Sequence, residues 1–169
     1  MKRCALSLLL ACPGLAILLL AAGCIDATRD AKIQGRTYPG FYKIEARNEH
    51  ARYLAGEKVR MRATLTNLSR ETKVWGDTKS LTPVLDFHVL STKQPDGSVE
   101  EYIWSQEHPD EVKHSITLKP GESYVVTWDF IPRLQEHYYA SAIYTLDQVE
   151  SQILDLTFSY GVQPPGPLP

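Results

Sequence analysis

Beyond residue 24 the chain has no cysteine: Cys4, Cys12 and Cys24 are its only three. The rest therefore has no thiol for a disulfide, a covalent nucleophile or a thiolate zinc site. Met1 and Met61 are the only methionines, too few for a thioether copper site. Five histidines, His50, His88, His108, His114 and His137, show neither His-x-His nor His-x3-His spacing. Gly-x-Ser-x-Gly, the phosphate-binding loop and the dinucleotide fingerprint are all missing. So is any block of five or six basic residues, which argues against nucleic acid as a partner, because phosphate neutralisation needs clustered Lys and Arg. The sequence points to no metal, no cofactor and no catalytic residue. Long amphipathic helical periodicity is missing as well.

What is present begins with a leader. Lys2 and Arg3 form a positive start, Ala5 to Ala22 is apolar apart from Ser7, and Ala21-Ala22-Gly23 precedes Cys24. Pro13-Gly14 interrupts the apolar run, which is otherwise long enough to approach a membrane span. Residues 1–23 resemble a bacterial lipoprotein signal peptide, with Ala21 where that pattern most often has Leu. The resemblance implies cleavage and lipidation at Cys24. It also implies a place outside the cytoplasm, at the cell membrane or the periplasmic face of an outer membrane. An ordinary secretory signal and an uncleaved anchor helix are the other readings of these residues. Without Lys2 and Arg3, 16 basic residues face 20 acidic ones, a balance of −4. About 145 residues would then remain, enough for one domain with a core that needs no disulfide.

Residues 24–40, polar and ending in Pro39-Gly40, read as a flexible tether with an r.m.s. reach of roughly 20–24 Å. From 41 to 160 the pattern is strand after strand. Tyr42, Ile44 and Ala46 alternate with charged neighbours. Val59, Met61, Ala63 and Leu65 alternate with Arg60, Arg62 and Thr64. Asn67-Leu68-Ser69 is formally a glycosylation sequon, but Asn67 reads better as a turn residue. Leu85, Phe87 and Val89 lead through the Asp96-Gly97 turn to a returning strand, Val99–Trp104. Ser115–Leu118, Pro120-Gly121 and Ser123–Phe130 predict a hairpin that sets Ile116 and Leu118 on one sheet face with Tyr124, Val126 and Trp128. Ile131–His137 reads as a connection with one helical turn over 133–136. Strands at Tyr138–Tyr144 and Leu154–Tyr160 follow. Residues 161–169 hold four prolines and read as an unpaired polyproline-like tail.

The fold predicted from this pattern is an immunoglobulin-like antiparallel β-sandwich of about seven to nine strands, a closed barrel being the alternative. Its expected core is Met61, Leu65, Phe87, Val89, Ile103, Ile116, Leu118, Val126, Trp128, Ile143, Leu156 and Phe158.

Val59–Asn67 followed by Val74-Trp75, the strand Leu85-Asp86-Phe87-His88-Val89, the Asp96-Gly97 turn into Tyr102-Ile103-Trp104-Ser105, and Leu118-Lys119-Pro120-Gly121-Glu122-Ser123 leading to Trp128 together resemble a BsuPI-type proteinase-inhibitor domain. The resemblance spans about Tyr53 to Tyr144. It implies an immunoglobulin-like sandwich and a contact with a proteinase. It transfers no reactive-site residue, and Gln106–Val112 departs from the family pattern.

The candidate partner-binding residues are Tyr102, Trp104, Ser105, Glu107, His108, Asp110 and Glu111, because aromatic side chains flanked by charge make interface anchors. Tyr138 and Tyr139 are a weaker pair. Gly76–Pro83 and Ser105–Glu111 are the loops such a scaffold would present. Asp86 and His88 share a sheet face and would supply half of a catalytic dyad, against the ordinary reading of a surface hydrogen-bonded pair. Glu100 and Glu101, adjacent on one strand, point to opposite faces and cannot act as a glycosidase pair. The expectation is a non-enzymatic module held to a membrane by a lipid on Cys24. Its partner would be a protein, either a proteinase or the subunits of a cell-envelope complex in which it is an accessory component.

Overall fold

Strand β4 (Val59–Asn67) buries every second residue, from Val59 through Met61, Ala63 and Leu65 to Asn67. In the computed structural model, which describes residues 32–92, 95–146 and 151–161, this strand sits at the centre of a four-stranded sheet. Its neighbours are β2 (Tyr42–Asn48) and β9 (Ser123–Phe130), with β1 (Ile33–Tyr38) outside β2. A second sheet runs β3 (Arg52–Tyr53), β11 (Ser151–Tyr160), β10 (His137–Thr145), β6 (Leu85–Ser91), β7 (Glu101–Ile103). The pairing is antiparallel throughout except between β3 and β11. A separate ribbon pairs β5 (Lys73–Gly76) with β8 (Ser115–Leu118), and the single helical turn is α1 (Trp104–Glu107).

The two sheets stack as an immunoglobulin-like β-sandwich. Phe87 and Trp128 lie 6.1 Å apart between ring centres, Phe130 and Phe158 also 6.1 Å, and Tyr102 and Phe130 5.3 Å. Polar links cross the same interface: the Tyr144 hydroxyl donates to Glu45 O at 2.5 Å, and Asn48 Nδ2 donates to Thr157 O at 3.3 Å. Trp75 and Leu118 bring the ribbon's inner side into the core.

Four expectations change. The chain expected to be a tether through residue 40 is already sheet at Ile33, because β1 pairs with β2 from Ile33↔Arg47 to Tyr38↔Tyr42. Residues 24–31 and 162–169, with the lipidation site and most of the tail, lie outside the described residues, as does the leader. Second, the Pro120-Gly121 turn forms, with Gly121 at φ 80° and Glu122 N–H donating to Lys119 O at 3.0 Å, but it makes no hairpin. Asn67 intervenes. Its carbonyl takes the Gly121 N–H (2.8 Å) and its N–H donates to Glu122 O (3.0 Å), so the outgoing strand is drawn onto β4 while β8 stays with β5. Ile116 is accordingly only half-buried. Third, Ile143 points away from the core. Tyr138, Ala140, Ala142 and Tyr144 are the buried residues of β10, and alternation forces Ile143 to the opposite face. Fourth, 133–136 is a bend without a helical turn. Ile103 is half-buried, and the other core positions expected are buried. No described helix is long and apolar enough to cross a membrane.

Candidate functional site

The aromatic patch expected at residues 102–111 is arranged differently from its sequence appearance. Strand β7 stops at Ile103 because Asp86 captures the next turn. The Asp86 carboxylate accepts the Ser105 N–H (3.0 Å) and hydroxyl (2.5 Å), together with the Phe87 N–H (2.8 Å). The chain coils into α1 and the Trp104 ring turns inward, 2% exposed, with His108 stacked on it at 5.8 Å. Trp104 is thus no exposed anchor. His88 Nε2 lies 3.5 Å from Asp86 Oδ2, the oxygen that also accepts the Ser105 hydroxyl, so Asp86 anchors α1 and pairs with His88.

Tyr102 and Tyr138 are occupied too. Both hydroxyls donate to the Glu100 carboxylate at 2.5 Å, and the Leu134 N–H adds a third donor at 3.2 Å. The Glu100 side chain is 12% exposed. Burial alone would raise its pKa, but the donors from Tyr102, Tyr138 and the backbone outweigh that and hold it below its usual value. Burial first, and the Glu100 carboxylate second, push both tyrosines above 10. This is a structural network that locks the 131–136 connection to β7 and β10. Tyr139 is exposed on the outer sheet face.

Glu107, Asp110 and Glu111 remain at the surface, with Glu107 accepting the Trp128 indole N–H at 3.2 Å. Glu107 and Glu111 stand beside the open edge of β9. Since Asn67 exchanges bonds with the 121–122 turn, stepping by two along the antiparallel pair gives Tyr124, Val126, Trp128 and Phe130 the bonds to β4. The N–H and C=O groups of Ser123, Val125, Thr127 and Asp129 then face outward, where no strand pairs with them among the described residues. A cleft of about 140 Å³ runs along this edge, lined by Trp104, Glu111, Lys113 and residues 124–127. The buried indole nitrogen of Trp104 has no hydrogen-bond partner. Burial, and then the Glu111 carboxylate, raise the pKa of Tyr124 in the same wall.

The loop between β5 and β6 is the other exposed feature. It leaves β5 at Gly76 (φ 77°) and re-enters the core at Val84, which is 0% exposed and donates its N–H to Lys113 O at 2.8 Å. Three further bonds are internal: Ser80 N–H to Asp77 O (2.9 Å), Lys79 N–H to Asp77 Oδ1 (2.9 Å) and Thr82 N–H to Ser80 Oγ (3.0 Å). These Asx and Ser turns fix the backbone locally. Leu81 stands at the tip, 91% exposed.

The five histidines are dispersed. His50 packs on Tyr53, His108 on Trp104, and His137 Nδ1 lies 2.7 Å from Ser159 Oγ. Among the described residues no three His, Cys, Asp or Glu side chains gather as a metal set.

No protein-family model matches the sequence, and no curated protein matches it. Solved structures align with this chain at low similarity. A β-glucosidase from Listeria innocua in complex with glucose aligns over 79% of this chain at 9% identity and TM-score 0.42. This chain spans only 16% of that enzyme's length. The sporulation control protein Spo0M from Bacillus subtilis aligns over 79% of this chain and 50% of its own, at 11% identity and TM-score 0.42. The CARDB domain of the PF1109 protein from Pyrococcus furiosus, in complex with di-metal ions, aligns over 79% of this chain and 94% of its own, at 12% identity and TM-score 0.38.

Proposed function

We propose that this protein is a non-enzymatic module, lipid-anchored at Cys24 outside the cytoplasm, that works by gripping another protein through the 77–83 loop. The observation that carries the reading is Leu81. Leu81, exposed to 91%, adds almost nothing to the core, and the loop that carries it is held by three short-range bonds at its neighbours and two rooted ends. A pre-ordered loop loses little entropy on docking, which is how a rigid scaffold gains affinity. The resemblance to BsuPI-type domains supports a proteinase as partner, with Leu81 entering the pocket that reads the residue before the scissile bond.

Titration of the full chain against a panel of proteinases that prefer large apolar residues tests this. One or more should be slowed at stoichiometric amounts, with the chain recovered intact. Leu81→Asp should abolish the effect, and Leu81→Lys should move it to Lys-preferring enzymes. Inhibition indifferent to both changes, or none across the panel, refutes the assignment.

The β9 edge favours a second reading, an accessory subunit of an envelope complex joined by strand addition. Its outward N–H groups can be removed singly. Thr127→Pro deletes a donor that makes no bond to β4, a substitution edge strands tolerate. A subunit held this way would lose its co-purifying partners with Thr127→Pro while Leu81→Asp leaves them in place. The reverse pattern rejects it.

A further inference from the structure

The register of the second sheet lines up an unusual row on its outer face. Arg52 pairs with Ser159, and Ser159 pairs with His137. One step along, Thr157 pairs with Tyr139, and Tyr139 with Leu90. Lys32 reaches over from the start of β1, its ammonium 2.5 Å from Thr157 Oγ1. Three cationic or protonatable groups from three separate segments thus converge on the hydroxyls of Thr157, Ser159 and Tyr139 around a cleft of about 390 Å³. Of the carboxylates at neighbouring positions, Asp155 accepts the Ser141 hydroxyl, and Glu136 accepts the Thr92 hydroxyl and, at 3.3 Å, the backbone N–H of His137. In a chain with an excess of acidic residues this is a local reversal of sign.

We propose that this cleft binds a phosphate-bearing anion, Lys32 and Arg52 supplying charge and His137, Ser159 and Thr157 supplying donors. Guanidinium and ammonium groups with hydroxyls between them match the tetrahedral oxygens of a phosphate ester. Two observations favour the headgroup of an anionic phospholipid over a free phosphate. Exposed Tyr139 (61%) and Leu90 (40%) stand side by side next to the cations, an apolar pair of the kind that settles at headgroup depth. Lys32 is also eight residues from Cys24, so the cleft lies within about 26–29 Å of that residue even if the chain between were fully stretched. This last argument rests on the lipid anchor proposed above; the charge and register arguments do not.

The test removes the anchor so that the cleft alone is read. The chain from residue 24 onward, without the apolar leader and with Cys24→Ser, is sedimented with vesicles of phosphatidylcholine, alone or with phosphatidylglycerol, and is titrated separately with inorganic phosphate. Expected is binding to the anionic vesicles only, weakened about five-fold by Arg52→Gln, the ~1 kcal/mol that a cation contributes near an anionic surface, and weakened further by His137→Ala, which removes a donor. Both side chains are exposed and outside the core. Arg70→Gln, an equal charge change in an exposed loop position, should leave binding unchanged. Phosphate binding that needs Arg52 and His137 without any vesicle preference would support the cleft and assign it to a free phosphate ester. Binding to neither probe, or equal loss with Arg70→Gln, overturns the proposal. Mass spectrometry of the mature N-terminus reports on lipidation independently.

Discussion

Replacing Asn67 by alanine should be among the most damaging single changes in the domain. The side chain is 0% exposed and makes four hydrogen bonds. Nδ2 donates to Glu71 O (2.8 Å) and Leu118 O (2.9 Å), while Oδ1 accepts the Ser69 N–H (2.9 Å) and hydroxyl (2.7 Å). Truncation strands the buried Leu118 carbonyl and frees the 67–71 turn. One buried acceptor left unpaired costs roughly 1–3 kcal/mol, and each lost bond to a partner that water can reach about 0.5 kcal/mol or more. A total near 3 kcal/mol follows. With a urea slope of about 2 kcal/mol/M, the unfolding midpoint should fall by about 1.5 M at unchanged slope. Asn67→Asp should cost more than alanine, because it turns a carboxylate oxygen toward two carbonyls. Since Asn67 holds the end of β8, and β8 holds β5, the variant should also blunt any Leu81-dependent activity before it unfolds the domain. A loss below about 1 kcal/mol for Asn67→Ala, or an aspartate milder than alanine, would refute the reasoning.

Three further predictions follow from the same packing. Glu100 has a pKa held below its usual 4.5, so its contribution is present at neutral pH and is lost as the pH falls through the folded-state value; the stability gap between parent and Glu100→Gln, read by urea denaturation, should be wide at pH 7 and close in strong acid. Tyr102, Tyr138 and Tyr144 are raised above 10, chiefly by burial, so they favour folding below pH 10 and oppose it above; absorbance near 295 nm should show them ionising in one step with unfolding, and a gradual titration of all tyrosines would contradict this. Gly76→Ala would place a Cβ 2.2 Å from His114 O and 2.6 Å from Val84 Cγ2, whereas at Gly121 nothing lies within 4 Å; both positions carry the strain of positive φ, about 1 kcal/mol, so thermal melts should show Gly76→Ala much the worse.

Period-two alternation made β4, β6, β9 and β11 readable, because one face of each is core and the other solvent. The additional strands were not readable for the opposite reason. Residues of β1 are exposed or nearly so along its whole length, so its sequence carries no alternation, and only backbone pairing with β2 makes it a strand. The hairpin at Pro120-Gly121 shows that turn chemistry specifies a reversal, not a partner; the buried amide of Asn67 made that choice. At the candidate site the aromatic residues signalled by composition are those the structure buries, since Asp86 reaches Ser105 across 19 positions. Leu81 looks like any loop leucine in sequence, and the Arg52–Ser159–His137 row becomes visible only once register joins positions more than 100 residues apart.

The parallel pair β3–β11 has a consequence for the order of events in synthesis. Tyr160 OH takes the Gly56 N–H at 2.6 Å, Gly161 N–H reaches Tyr53 O at 2.9 Å, and Tyr38 OH meets Gln152 at 2.7 Å. The earliest strands therefore wait for the latest one, and closure is a long-range event. Until residue 161 clears the ribosome, half-built sheets with bare borders are available to whatever chaperone meets them first.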